Sequence, residues 1–274
     1  MVERQAFRDL PQGEQQKRVY FGNLSRQTFN ELKLHSQVGL WERVDGKRDW
    51  GNVSEHCLVE VARINVLGRA LGLPEDVQKD LTKAAALHDF FKKGEKEIVV
   101  ARGLSWEAME EAEAESEKRL QEAGFSERVV RLAGAVGHNS LQETQRILAQ
   151  DTFSADDTAF LVMHYVDDYT VNSDWVQPTE VQPDGRGINN LDRRMDKNEA
   201  NSRYAILNEA GRQHFNGETS FQAQRRIGHM VEGRLADLLT QQTGQSVEPL
   251  RLPEFVDDGI KAAIATTEVK PTTR

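Results

Sequence analysis

A chain of 274 residues, 38% hydrophobic and 29% charged, fits one large domain or a core with an appendage, and it reads as soluble and folded. Its formal net charge of −9 opposes general binding to nucleic-acid phosphates, although a local cation could still hold a small phosphorylated ligand. Cys57 is the single cysteine, so no intramolecular disulfide can form; no apolar run approaches the ~18 residues of a membrane span, and the charged, Gln-rich start lacks the apolar core of a signal peptide, so the expectation is a cytoplasmic protein with no membrane partner.

Residues 1–30 are polar apart from Val19, Tyr20 and Phe21 and read as a loose arm or small helix. Leu32, Leu34, Leu40, Trp41 and Trp50 then form a packed lead-in. The first strong helix spans 53–71. Asn52 can cap it with Glu55 as capping-box partner, Cys57, Val61, Ile64 and Leu71 share a face, and Gly72 and Pro74 supply the stop. A second helix runs from about Pro74 to about Phe91, with Val77, Leu81, Ala84 and His88 on one stripe. Ser105 caps a third to about Ala123, mostly a solvated charged face. Ser126 opens a fourth, with Val129, Leu132, Ala133 and Val136 as core positions and His138 near its end. Ser154, with Asp157 three residues later, opens a fifth in which Phe160, His164, Asp167 and Val171 share a face.

The Pro, Gly and Asn residues within 172–200 read as a long loop, functional or mobile. Two more helices follow, about 200–215 and 219–242, the second with Ile227, Val231, Leu235 and Leu238 as its apolar stripe. Residues 245–256 look irregular, 257–266 form a short helix, and the tail frays. With no strand-rich region and no internal repeat, the fold expected is all-α: a lead-in over 1–50, a core over 51–172, and a loop with C-terminal helices over 173–274.

Two positions carry chemical weight. His88 sits on an apolar stripe, and a buried imidazole needs partners for its nitrogens. Asp89 follows in the last turn, where the negative end of the helix dipole disfavours a carboxylate; Lys92, Lys93 or a metal ion would repair this. Joined by a His and an Asp from other helices, the pair would make a mixed nitrogen and oxygen site suited to a transition metal with positions open for water. Singly, each residue has a plainer explanation. His35, His164, His214 and His229 read as satisfied core histidines, and the adjacent Asp167 and Asp168 as a surface or cap feature.

The order EHCLVEVA, AALHDFFKKGE, AVGHNS and YVDDY resembles the HD superfamily over about residues 50–172. The resemblance implies an HD-type helical bundle with additional C-terminal helices, acting as a metal-dependent phosphohydrolase. His56, His88, Asp89 and Asp167 would bind one divalent ion per chain (Mn, Fe, Co, Ni, Zn or Mg), which activates a water. Lys92 would hold a phosphate oxygen and Glu95 would handle protons; the plain alternatives are a solvated helix-end lysine and an exposed loop glutamate.

Asp167 is preferred over Asp168 because it shares a face with Phe160 and His164. His138, Asp168 and His164 are candidates to stand behind the ligands or to touch substrate, and His138 could also be a second-metal ligand or a helix-end histidine. The scarcity of further histidines between Asp89 and Asp167 favours one metal. Two phenylalanines in place of the frequent Ile-Gly remove a signature of the cyclic-dinucleotide branch. The expected partner is a small phosphorylated substrate, a nucleotide or similar, with oligomeric state left open. The competing readings are an HD-type di-iron oxygenase using His138 and His164, and a non-catalytic HD module. Arg186, Arg193, Arg194 and Arg203 are phosphate contacts if the 172–200 segment covers the site, and a solvated appendage otherwise.

Overall fold

The computed structural model describes residues 25–265 apart from 45, 46, 49, 51, 139, 176–179, 182–186 and 189, together with 14, 15 and 17. The elements in chain order are α1 (Arg26–Gln37), β1 (Arg43–Val44), β2 (Lys47–Arg48), α2 (Val53–Ala70), α3 (Glu75–Leu87), α4 (Lys92–Arg102), α5 (Trp106–Glu122), α6 (Glu127–Ala133), α7 (Leu141–Leu148) and α8 (Ala155–Tyr169). They continue with β3 (Glu180–Val181), β4 (Gly187–Ile188), α9 (Asn190–Glu199), a 3-10 turn (Ser202–Tyr204), α10 (Ala205–His214), α11 (Ser220–Thr243), a second 3-10 turn (Pro249–Arg251) and α12 (Leu252–Ala265). The two antiparallel ladders are each two residues long, so the fold is an all-α bundle. No helix among the described residues is long and apolar enough to cross a membrane.

Two helices form the centre. In α2, Cys57, Leu58, Val59, Ala62, Ile64 and Leu67 are all fully buried, which is more than one face. In α8 every residue from Thr158 to Tyr169 is buried. A helix apolar on all sides must be enclosed: α2 packs against α3, α8 and α12, and α8 against α2, α3, α6, α7, α9 and α11. His56, Glu60 and Arg63 on α2 and His164, Asp167 and Asp168 on α8 therefore face a dry interior.

Ser105, Ser126 and Ser154 each accept an N–H from the third helical residue, as their positions suggest, and Ser154 with Asp157 closes a capping box. Asn52 does not cap α2. Its backbone is already helical (φ −89°, ψ −18°) and its side chain makes no capping bond. Glu55 is engaged elsewhere, accepting from Trp175 Nε1 at 3.3 Å and pairing with Lys17 at 2.8 Å.

Several segments depart from the sequence expectation. Residues 26–37, read as the end of a loose arm or small helix and the start of a packed lead-in, form a single helix with Ser25 as its cap. The second expected helix ends at Leu87, and α4, which begins at Lys92, and α7 occupy stretches to which no element had been assigned. The long loop of 172–200 is interrupted by a short ladder and by α9, whose Leu191 and Met195, four apart, are fully buried. The last helix starts at Leu252 rather than 257, because Leu252, Val256 and Ile260 extend one buried stripe toward the N-terminus. Val19, Tyr20, Phe21 and the tail expected to fray lie outside the described residues.

Candidate metal centre

The central helices bring four ionisable side chains to one point. His56 and Glu60 are one turn apart on α2, Asp167 lies near the end of α8, and His88 caps α3. Each offers one ligand atom, and these atoms all lie within 4.8 Å of one another. His56 Nε2 is 2.9 Å from Glu60 Oε1 and 3.5 Å from Asp167 Oδ1. His88 Nε2 is 3.9 Å from Asp167 Oδ1, and its Nδ1 is 3.4 Å from Glu60 Oε2. All four residues are buried, Glu60 completely.

Hydrogen bonding aims both imidazoles. His56 Nδ1 lies 2.5 Å from the carbonyl oxygen of Asn172, and His88 Nδ1 lies 3.0 Å from that of Ala85. A carbonyl only accepts, so each Nδ1 carries a proton and donates it, which turns the Nε2 of each ring toward the carboxylates. Metal-binding histidines are held in this way. His88 Nε2 is buried without a hydrogen-bond partner, and the buried oxygens of Glu60 have the two imidazoles beside them, at 2.9 and 3.4 Å. Orphaned buried atoms are costly, and a divalent cation among them would satisfy two lone pairs and offset two carboxylates together. The donor set of two imidazoles and two carboxylates suits a transition-metal ion.

The charges depend on one another. Burial alone would push His56 down, but the Glu60 carboxylate and bonds with Asp167 and Glu60 raise its pKa to about 10. Burial would raise Asp167, yet Arg194, His56 and His88 hold it well below the ordinary carboxylate range. Asp89 behaves alike: burial opposes its charge, and Lys92, His88 and His56 keep it ionised.

Three of the four expected ligands, His56, His88 and Asp167, thus meet at one point. Asp89 stands at the edge of the group, with Oδ2 3.7 Å from His88 Nε2 and Oδ1 2.9 Å from Lys92 Nζ. Lys92 is the cation that the helix-end carboxylate required. Glu95 lies 3.8 Å from Lys92, and burial raises its pKa. Asp168 points away, into a buried set with His164 (3.3 Å) and Gln224. His164 is a core histidine, its Nδ1 3.1 Å from both Ser140 Oγ and the Ala135 carbonyl. His138 borders the centre: burial, aided by the charges of Lys92 and Arg194, lowers its pKa to about 4. Its ring packs 5.1 Å from Phe221.

Two residues went unforeseen in these roles. Glu60 was legible as the i+4 partner of His56, a spacing that places both on one face. Arg194 was one of four interchangeable arginines; α9 singles it out by setting its guanidinium on Asp167. Arg203 is exposed on the turn before α10, and Arg186 lies outside the described residues.

Comparisons with models of known families, with curated proteins and with solved structures find no match.

Proposed function

We propose that this chain is a metal-dependent phosphohydrolase acting on a small phosphate ester, of the HD type that its motif order resembles. One observation carries the reading: a His/Glu/His/Asp group lies buried in an apolar bundle with its imidazole Nε2 atoms turned toward carboxylates. Such an arrangement costs stability and makes sense as a cation site. A divalent ion held by His56, Glu60, His88 and Asp167, with Asp89 at the edge, would lower the pKa of a coordinated water and offset charge on a phosphoryl oxygen.

The chain's own groups do the rest. The carbonyls of Asn172 and Ala85 fix the two imidazoles before any ligand arrives. Lys92 places its ammonium 2.9 Å from Asp89, where it can attract a phosphoryl oxygen. Glu95, its pKa raised by burial, is the neighbouring carboxyl able to hold a proton for the departing oxygen.

The test is elemental analysis and a phosphate-ester screen on protein purified without chelators, beside His88→Ala. About one transition-metal ion per chain with turnover, both lost in the variant, is expected. Wild-type protein that takes up no manganese, cobalt or nickel and hydrolyses no ester would overturn the reading and point to a binding module.

A further inference from the structure

We propose that Arg194 is an exchangeable counter-ion: its guanidinium holds Asp167 while the centre is metal-free and turns to an anionic phosphoryl oxygen once a divalent ion takes that carboxylate. This rests on the metal-centre reading above. Every hydrogen bond described for the guanidinium ends on the C-terminal turn of α8. Nη1 donates to the Thr170 carbonyl at 3.0 Å and to Asp167 Oδ1 at 3.2 Å, and Nη2 donates to Asp167 Oδ1 at 3.2 Å and Oδ2 at 3.4 Å. Asp167 Oδ1 is the same atom that faces His56 and His88. An ion entering the centre must therefore share or take an oxygen that Arg194 holds.

Burial places Arg194 outermost. The His56, Glu60, His88 and Asp167 side chains are 10, 0, 1 and 7% exposed, against 23% for Arg194. The helix that carries it is fastened independently. Leu191 and Met195 are buried, Arg225 pairs with Asp196, and His229 lies 3.0 Å from Asp192. The long arginine side chain can therefore swing while α9 stays docked.

Charge gives the exchange a direction. Three carboxylates, Glu60, Asp89 and Asp167, face two fixed cations, Lys92 and Arg194, an excess of one negative charge once the imidazoles are neutral ligands. Adding a divalent ion reverses this to one positive charge, and the centre then attracts an anion. A guanidinium released from a carboxylate meets a phosphoryl group with the same two-pronged geometry, which an ammonium cannot match. The competing account is that Arg194 is a fixed cap on the negative end of α8.

The two accounts differ in the sign of one measurement. Calorimetric titration with Mn2+, then with inorganic phosphate on the Mn2+-loaded protein, is compared among wild type, Arg194→Gln and Arg194→Lys. If Arg194 exchanges, the Gln variant binds Mn2+ roughly 10-fold tighter and phosphate roughly 10- to 100-fold weaker, the worth of one or two charge-assisted bonds. Mn2+ uptake by the Gln variant alone would support the exchange more strongly still. Mn2+ affinity that is unchanged or weaker in the Gln variant would make Arg194 a fixed cap and leave the metal centre standing. No Mn2+ binding by either protein would remove both. Should the Gln variant not fold, the Lys variant decides: Mn2+ affinity within about 3-fold and phosphate about 10-fold weaker are expected, and undiminished phosphate binding would overturn the proposal.

Discussion

Glu60→Gln separates a metal ligand from a structural carboxylate. The change is isosteric, at a fully buried side chain lying 2.9 Å from His56 Nε2 and 3.4 Å from His88 Nδ1. Even groups that only orient ligands are worth about 10- to 100-fold in metal affinity, so a carboxylate at the ion should reach the upper figure. At free metal of 100 times the wild-type Kd, binding stabilises the wild type by about 2.7 kcal/mol. A variant bound 100-fold more weakly then sits at its own Kd and gains only about 0.4 kcal/mol. For a chain of this size, 1 kcal/mol moves Tm by roughly 2–4 °C. Differential scanning calorimetry should therefore show a metal-induced rise of about 5–10 °C in wild type and about 1 °C in Glu60→Gln. Glu55→Gln, on the same helix but paired outward with Lys17 and Trp175, is the control and should keep the full rise. If Glu60→Gln keeps it too, Glu60 is only a partner for His56 and the metal site must be built without it.

Three further predictions follow from the packing. His35, fully buried, donates from Nε2 to the Ala86 carbonyl at 2.8 Å and has Nδ1 2.9 Å from Ser54 Oγ, which also accepts from Trp41. Burial lowers its pKa from 6.5 to about 4. A depressed imidazole favours folding while neutral, so its contribution is complete above pH 6.5 and is lost as pH falls toward 4. Urea titrations should show wild type losing roughly 2–3 kcal/mol more than His35→Gln between pH 7 and pH 4, and parallel curves would refute the assignment. Gly211→Ala would put a Cβ 2.4 Å from the backbone nitrogen of Ser220 and 2.8 Å from its Cα, forcing α10 from α11; a loss of about 1–3 kcal/mol in chemical denaturation is expected. Thr219→Ala should cost about 1 kcal/mol because its capping box is formed, whereas Asn52→Ala should be nearly neutral.

How much of the bundle can be read from the chain depends on what marks each element. Ser105, Ser126 and Ser154 announce their helices because a cap is a local event, a hydroxyl meeting an N–H three residues on. Asn52 shows the limit of that logic. The cap and its partner are in place, but Trp175, 120 residues from Glu55, takes the glutamate. The α9 helix was hidden for a related reason. The prolines and glycines of 178–187 suggested a loop through residue 200, and the sparse stripe of Leu191 and Met195 gains meaning only once α11 packs over it.

The centre divides along the same line. His88 and Asp89 could be identified as unusual from position alone, one on an apolar stripe and the other at a helix C-terminus, and Lys92 beside Asp89 meets the electrostatic need. The choice of Asp167 over Asp168 also followed from helical phase, and the two carboxylates do diverge, one to His56 and the other to His164. Glu60 required a different inference. Within α2, buried on every side, the i+4 neighbour of a histidine has no solvent-facing alternative, so the enclosure of the helix turns that glutamate inward. An isolated carboxylate there would be expelled or neutralised; one retained between two imidazoles with oriented Nδ1 protons belongs to a group that could hold a cation. The sequence spells each residue of the centre, but the enclosure that gives Glu60 and Arg194 their roles belongs to the packing of α2, α8 and α9.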